Sequence, residues 1–246
     1  MHFSTARKRL AHTARCIFSH LYFEGVVKRT LDRTVETRML GYQLSVPPTV
    51  FHPGFYFTSK ILAERLRRID LSGKHVLDAG CGSGILALAA ASSGARVTAL
   101  DINPAAAAAT NLNARRNGFG DRIQAIVVDI NSGVPDAIGS VDMIVVNPPY
   151  YQDAPRTLAD RAFKGGASNE FVEMLAEASS RILAPDGSII LILSSDVDEA
   201  TVLQPFASRF FRRTTLCETR RLFERLTVFQ LEKTGHTSSE VWNSPK

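Results

Sequence analysis

Val76-Leu77-Asp78-Ala79-Gly80-Cys81-Gly82-Ser83-Gly84 runs from an apolar strand into three glycines set two residues apart, and the helical run that starts at Ile85 follows directly. A strand, a glycine turn and a helix in that order bring backbone close to a ligand without Cβ atoms in the way. The spacing is GxGxG, with Ile85 where a dinucleotide fingerprint needs its third glycine, and Asp78 stands where an acid repels a pyrophosphate. The turn therefore predicts a site for a cationic ligand rather than an anionic one.

Outward from the turn, strands and helices alternate. "HVLDAG" is followed by a helix over 85–93, "RVTALD" by an alanine-rich helix over 104–117, and then come "IQAIVVD", "VDMIVVN", a helix over 168–183 and "SIILILSSD". Continuous Val/Ile/Leu strands alternating with helices predict a doubly wound α/β fold, with a seven-stranded, mostly parallel sheet covered on both faces. A helix over 198–209 precedes "TTLCET" and "RLTVFQLEK", which read as a C-terminal antiparallel hairpin at one edge. Before the turn, Leu10, Ala14, Ile17, Leu21 and then Val26, Val27, Leu31, Val35 recur at helical spacing, predicting one or two helices over 5–39. Tyr42, Leu44 and Val46 alternate as a short strand, "VFHPGFYFTSK" reads as an aromatic loop, and Thr58 or Ser59 caps the next helix. The expected organisation is a small N-terminal helical cap over 1–70, a catalytic domain over 71–233 and a loose tail over 234–246.

Composition excludes other classes. The chain has 246 residues, 45% hydrophobic and 22% charged, enough for one substantial core. No apolar run approaches the roughly 18 to 20 residues that cross a bilayer as a helix. Three scattered cysteines, Cys16, Cys81 and Cys217, lack zinc-site spacing and disulfide density, so a reducing, cytoplasmic compartment and no metal are expected. The net charge of +5 resides in residues 1–40, which hold 8 basic and 3 acidic residues. That segment reads as a solvated helix face, as a surface for nucleic acid or an acidic partner, or as a mitochondrial-type leader.

Asp78, Asp101 and Asp129 each end a successive strand, and in a doubly wound sheet such ends converge on one crevice. The fourth strand leaves through Asn147-Pro148-Pro149-Tyr150, whose two prolines stiffen the exit and restrict where Asn147 can point.

These residues resemble the class I S-adenosylmethionine-dependent methyltransferases. "VLDAGCGSG" looks like their first motif, "ALDINP" their second and "VVD" with "IN" their third, so the resemblance implies a Rossmann-like methyltransferase fold with S-adenosyl-L-methionine as cofactor. It implies that Asp78 and the backbone of Gly80, Cys81, Gly82 and Gly84 hold the methionine portion. Asp101, with Ile102 beside it, would bind the ribose hydroxyls, Asp129 with Ile130 would frame the adenine, and Asn147 would border the cofactor. "NPPY" is similar to the motif of enzymes that methylate planar nitrogens. By that likeness the Asn147 side-chain oxygen and the Pro148 carbonyl accept hydrogen bonds from the acceptor nitrogen while Tyr150 stacks on it, with no metal and no general base before transfer. Pro149, Tyr151, Phe57 and Thr58 are the acceptor-binding candidates.

Within that group the chain looks most like HemK-type glutamine methyltransferases, through "SVPPTVFHPGFYFTSK" and "AFKGGASNEFVEMLAEASSRILAPDGSIILIL". It departs from them where Thr58-Ser59-Lys60 replaces the usual acid. The expected acceptor is a protein glutamine amide or an amide- or guanidine-like small molecule. A nucleic-acid base is the alternative, favoured by the basic segment and by Tyr150-Tyr151, and a catalytically silent scaffold is the alternative from outside the enzymes.

Overall fold

Val35–Met39 (β1) and Tyr42–Val46 (β2) pair antiparallel, joined by Leu40 and Gly41, which both have positive φ. Two left-handed residues between two strands make the tight turn whose twist matches a hairpin. This corrects the helix expected through residue 39. Val35 lies four residues after Leu31, but it also alternates with Thr37 and Met39, and burial follows the two-residue period. The computed structural model describes residues 33–54, 57–149, 170–221 and 224–234; the helices expected over 5–32 and the tail beyond 234 lie outside them.

Helix α1 (Phe57–Leu66) leads to strand β3 (His75–Ala79), the glycine turn and helix α2 (Ile85–Ser92). Strand β4 (Arg96–Asp101) is followed by helix α3 (Pro104–Arg116), which starts at Pro104 under an Asn103 cap whose side chain accepts from the Ala105 N–H. Then come β5 (Ile123–Val127), β6 (Val141–Val146), helix α4 (Glu170–Ile182), β7 (Leu183–Ser194), helix α5 (Glu199–Ala207), β8 (Phe211–Arg221) and β9 (Glu224–Lys233).

Strands β3 to β9 form one sheet in the order β5-β4-β3-β6-β7-β9-β8. Every pair is parallel except those made by β9, which runs antiparallel to both β7 and β8. The period of two explains why the strands are apolar throughout: Val76, Val145, Ile190 and Val228 enter one core, and Leu77, Ile144, Ile189 and Phe229 enter the other. Helices α1, α2 and α3 with the β1–β2 hairpin cover the first face, while α4 and α5 cover the second. β2 and α1 thus share a core with the sheet: Leu44, Leu62 and Leu66 are fully buried there.

Asn113 of α3 and Asn117, which caps its C-terminus, hold the hairpin in place. Asn113 accepts from Ser45 N at 2.8 Å and donates to Ser45 O at 3.0 Å, while Asn117 accepts from Gln43 N at 2.9 Å and donates to Gln43 O at 2.8 Å. Four helical residues advance about 6 Å and two strand residues about 6.7 Å, so side-chain amides four apart on a helix match backbone groups two apart on a strand. The free edge of β2 is paired as if by another strand. Asn113 also donates to Ser83 O at 2.9 Å, which ties the hairpin to the glycine turn.

Because the chain passes from β3 outward to β4 and β5 and then returns to β6 on the other side, the order reverses between β3 and β6. In open α/β sheets, ligands bind beyond the strand ends at such a reversal.

Candidate active site

A cavity of about 300 Å³ lies there, at the lower end of the range for small-molecule sites. Its floor is the glycine turn, Gly80 to Ser83, and Asp101, Ile102 and Asn103 from the end of β4 form one wall. Asp129 and Ile130 beyond β5, Asn147 and Pro149 beyond β6, and Glu170 and Phe171 opening α4 complete the opposite side. The remaining wall comes from ahead of the sheet: Thr49, Phe51, Pro53 and Ser59 all face the cavity.

Gly80, Gly82 and Gly84 all have positive φ, at 81°, 55° and 83°. At Gly84 a Cβ would lie 2.9 Å from both side-chain branches of Thr110, so the approach of α3 to the turn requires glycine. Thr110 in turn donates toward Gly82 O at 3.1 Å and Cys81 Sγ at 3.3 Å, supporting the turn from below.

Four amides of the turn are engaged internally. Gly80 N and Cys81 N donate to Leu100 O at 2.8 and 2.9 Å, and Gly84 N donates to Cys81 O at 2.8 Å. Gly82 N donates to Asp101 Oδ2 at 2.9 Å. A dinucleotide turn keeps its N–H groups for phosphate oxygens, and this one commits those four to the protein.

The charge around the cavity is negative. Asp101, Asp129 and Glu170 face it, and among the described residues no lysine or arginine does. Asp101 accepts from Gly82 N and Asn103 N, one on each oxygen, and burial holds its carboxyl above the ordinary range. Asp129 accepts from Asn131 N and caps the short turn over Ile130–Ser132.

Asp78 is fully buried and is not part of the cavity wall. Its Oδ2 accepts from Ala87 N at 3.0 Å, fixing the first turn of α2 onto β3, while Oδ1 is buried with no partner. Burial pushes its carboxyl up to about 7. Asp78 therefore anchors α2 onto β3 and does not line the cavity. Burial, with Asp101 and Asp78 nearby, also raises Cys81, keeping its thiol protonated.

S-Adenosylmethionine fits these residues. It carries an ammonium, a carboxylate and a sulfonium group and no phosphate, and the cavity offers carboxylates to its two cationic groups above a glycine floor. Asp101 retains lone pairs for hydroxyl donors, since an ionised carboxylate accepts at about four sites.

Of the expected site residues, Gly80, Cys81, Gly82, Asp101, Ile102, Asp129, Ile130, Asn147 and Pro149 meet at the cavity. Gly84 lies behind it against Thr110, Pro148 is buried off the wall, and Phe57 is 47% exposed away from it. Thr58 is buried and meets the site through Asn147, whose Nδ2 donates to Thr58 Oγ1 at 3.1 Å and to Ser59 Oγ at 3.0 Å. Tyr150 and Tyr151 lie outside the described residues.

Sequence reasoning passed over Thr49, Asn103 and Glu170. Thr49 is a β-branched residue at φ 69°, a strained conformation of the kind found at functional sites. Asn103 Nδ2 donates to its carbonyl at 3.1 Å and its hydroxyl at 3.0 Å. The proline pair ahead of Thr49 was the available signal for a tight turn there.

A family model described as methyltransferase small domain matches residues 42–224. Among curated proteins, the chain is 52% identical over 79 residues to the ribosomal protein L11 methyltransferase of Methylococcus capsulatus, covering 32% of this chain and 27% of the relative. It is 41% identical over 102 residues to the protein of that name from Vibrio parahaemolyticus, covering 41% of this chain and 33% of the relative. The match thus spans a third or less of these relatives' length. In fold, the chain resembles the 16S rRNA N2 G1207 methyltransferase of T. thermophilus, solved with AdoMet and guanosine, at a TM-score of 0.61 and 23% identity over 82% of this chain and 50% of that one. It also resembles ribosomal protein L11 methylase from Lactobacillus delbrueckii subsp. bulgaricus, at 0.53 and 23% over 76% of this chain and 84% of that one. These relatives replace the HemK-type likeness expected from the sequence.

Proposed function

The chain belongs to the methyltransferase small domain family, and from that premise we propose that it methylates a planar, N–H-bearing nitrogen of a protein with S-adenosylmethionine as donor. The observation that carries this reading is the position of Asn147. It stands on the wall of the cavity that holds the glycine turn, Asp101 and Asp129, so an acceptor bonded to it lies next to whatever that cavity binds.

When bound, S-adenosylmethionine supplies an electrophilic methyl group on a positively charged sulfur. The chain's own residues orient the acceptor. An amide nitrogen has a delocalised lone pair, so it reacts only when held in line, and its N–H hydrogens become more acidic as charge develops on it. The Asn147 side-chain oxygen accepts from those hydrogens, held on an exit that Pro148 and Pro149 stiffen. Asp101 and Asp129 maintain the negative field that favours a cationic ligand. The acceptor nitrogen loses one proton to water after transfer, and no side chain has to remove it beforehand.

A protein acceptor is favoured over a nucleic acid by the cavity wall, where three carboxylates and no described basic residue would oppose a phosphodiester backbone. A glutamine amide, which joins a planar nitrogen to N–H donors, is the acceptor group that suits the Asn147 side-chain oxygen. The second reading, an exocyclic amine of an RNA base, is supported by the basic segment at residues 1–40.

The test is incubation of the protein with S-adenosylmethionine labelled in the methyl group and ribosomes, followed by separation of protein from RNA. Label in protein supports the first reading and label in RNA the second. Absence of cofactor binding at millimolar concentration by calorimetry would sink both.

A further inference from the structure

We propose that Thr58 and Ser59 are positioning residues that hold the Asn147 amide in its working orientation; the inference rests on methyl transfer at Asn147 and names what makes that residue competent. The hydroxyls lie 88 and 89 residues before Asn147 in the chain, and they sit 3.0 and 3.1 Å from its Nδ2. Both residues are nearly inaccessible, at 5% and 4% exposure. Among the described residues, each hydroxyl has Asn147 as its one side-chain partner. Ser and Thr in the first turn of a helix ordinarily turn back on their own backbone; here two successive ones reach across to another element.

One hydrogen bond leaves a side-chain amide free to pivot about its last torsion, which is broad for asparagine. Two bonds from different Cα positions fix its plane. The prolines after Asn147 restrict the backbone end of the same side chain, so the amide is held at both ends. A hydroxyl can donate as well as accept, so the pair fixes the plane in either sense. With Nδ2 against α1, Oδ1 takes the opposite branch of the amide and serves as the acceptor for a substrate N–H.

Ser59 also faces the cavity. The first turn of α1 therefore belongs to the site, and the chain ahead of the sheet contributes to orientation as well as to packing. By this arrangement the site selects nitrogen atoms that carry hydrogen, because an acceptor nitrogen without N–H has nothing to give to Oδ1.

The test compares wild type with Thr58→Val, Ser59→Ala, their double variant and Thr58→Ser, which keeps the hydroxyl. Calorimetry with S-adenosylmethionine should give the wild-type Kd for Thr58→Val and Thr58→Ser, since Thr58 lies off the cavity wall. With tritiated S-adenosylmethionine and a ribosomal protein fraction, kcat should fall about tenfold for each single loss and about 100-fold for the double variant, the scale of one lost hydrogen bond apiece. KM for the acceptor should change little, and Thr58→Ser should retain wild-type kcat.

Independently of turnover, the Asn147 side-chain NH2 signals in nitrogen-15 spectra, identified by their loss in Asn147→Asp, should exchange slowly with water in wild type and rapidly in the double variant. A double variant with wild-type exchange at Asn147 overturns the proposal, as does one with wild-type kcat where wild type transfers label. If wild type transfers no label to protein or RNA while the exchange difference is present, the hydroxyl clamp stands and the methyl-transfer reading falls.

Discussion

Asn147 has two kinds of neighbour, and its removal separates them. Asn147→Ala takes away the acceptor for the substrate N–H and is expected to reduce transfer by about 100-fold or more, the effect of deleting one oriented polar group, with cofactor affinity nearly unchanged. It also strands the buried Thr58 and Ser59 hydroxyls, each costing about 1 kcal/mol or more of stability, so thermal unfolding should move down in parallel. A variant that loses cofactor binding as well would assign Asn147 to the cofactor. Asp78 makes a different prediction. Its carboxyl is raised from 3.8 to about 7, so between those values the folded chain holds a proton that the unfolded chain has released. Stability contributed by this group therefore falls as pH rises from about 4 through about 7. Asp78→Asn should lose that dependence: relative to wild type, the variant should gain on the order of 2 kcal/mol in unfolding free energy between pH 5 and pH 8. Parallel pH profiles would mean that Asp78 is ionised throughout.

Among the elements, the glycine turn and α3 are fitted to each other at one point. Gly84→Ala places a methyl 2.9 Å from Thr110 at a positive φ, so the turn must shift and S-adenosylmethionine affinity is expected to fall by more than about tenfold, given the sensitivity of close-packed sites to added volume. Thr110→Ala in that background removes both clashing atoms and should restore part of the affinity by calorimetry, since the φ strain remains; no recovery would place the fault in the backbone alone. The sheet was legible because period-two burial on both faces leaves a continuous apolar strand, as in "VDMIVV" and "SIILIL". The glycine turn and Asp101, Asp129 and Asn147 were legible because strand ends in this topology converge. β1 was not, since Leu31, Val35 and Met39 satisfy a four-residue period while Val35, Thr37 and Met39 satisfy a two-residue one. Nor was the Thr58–Ser59–Asn147 contact, which depends on how α1 packs against α2 and β7 and leaves no spacing signal over 88 residues. Asp78 was assigned to the ligand by its place before the turn; its burial behind α2 is a packing outcome that the local motif does not encode.

At the scale of the molecule, charge is segregated. Residues 1–34 carry seven basic and two acidic side chains, and residues 35–246 balance at 22 of each, while the described cavity wall is acidic. An RNA acceptor must have its phosphates neutralised before a base reaches Asn147, and binding then weakens with salt in proportion to the contacts made. A protein acceptor has no such requirement. Replacing Arg7, Lys8, Arg9 and Arg15 by Gln separates the cases, because it removes four of the seven basic side chains of residues 1–34. Under the protein reading, transfer to ribosomal protein should stay near wild type while the variant's residual affinity for RNA loses salt dependence. That slope is measured as log K against log salt between about 50 and 200 mM, and it should drop by up to roughly three, at about 0.7 per phosphate contact on a single strand. If methyl transfer falls together with the slope, the basic segment delivers the acceptor, and the acceptor is RNA.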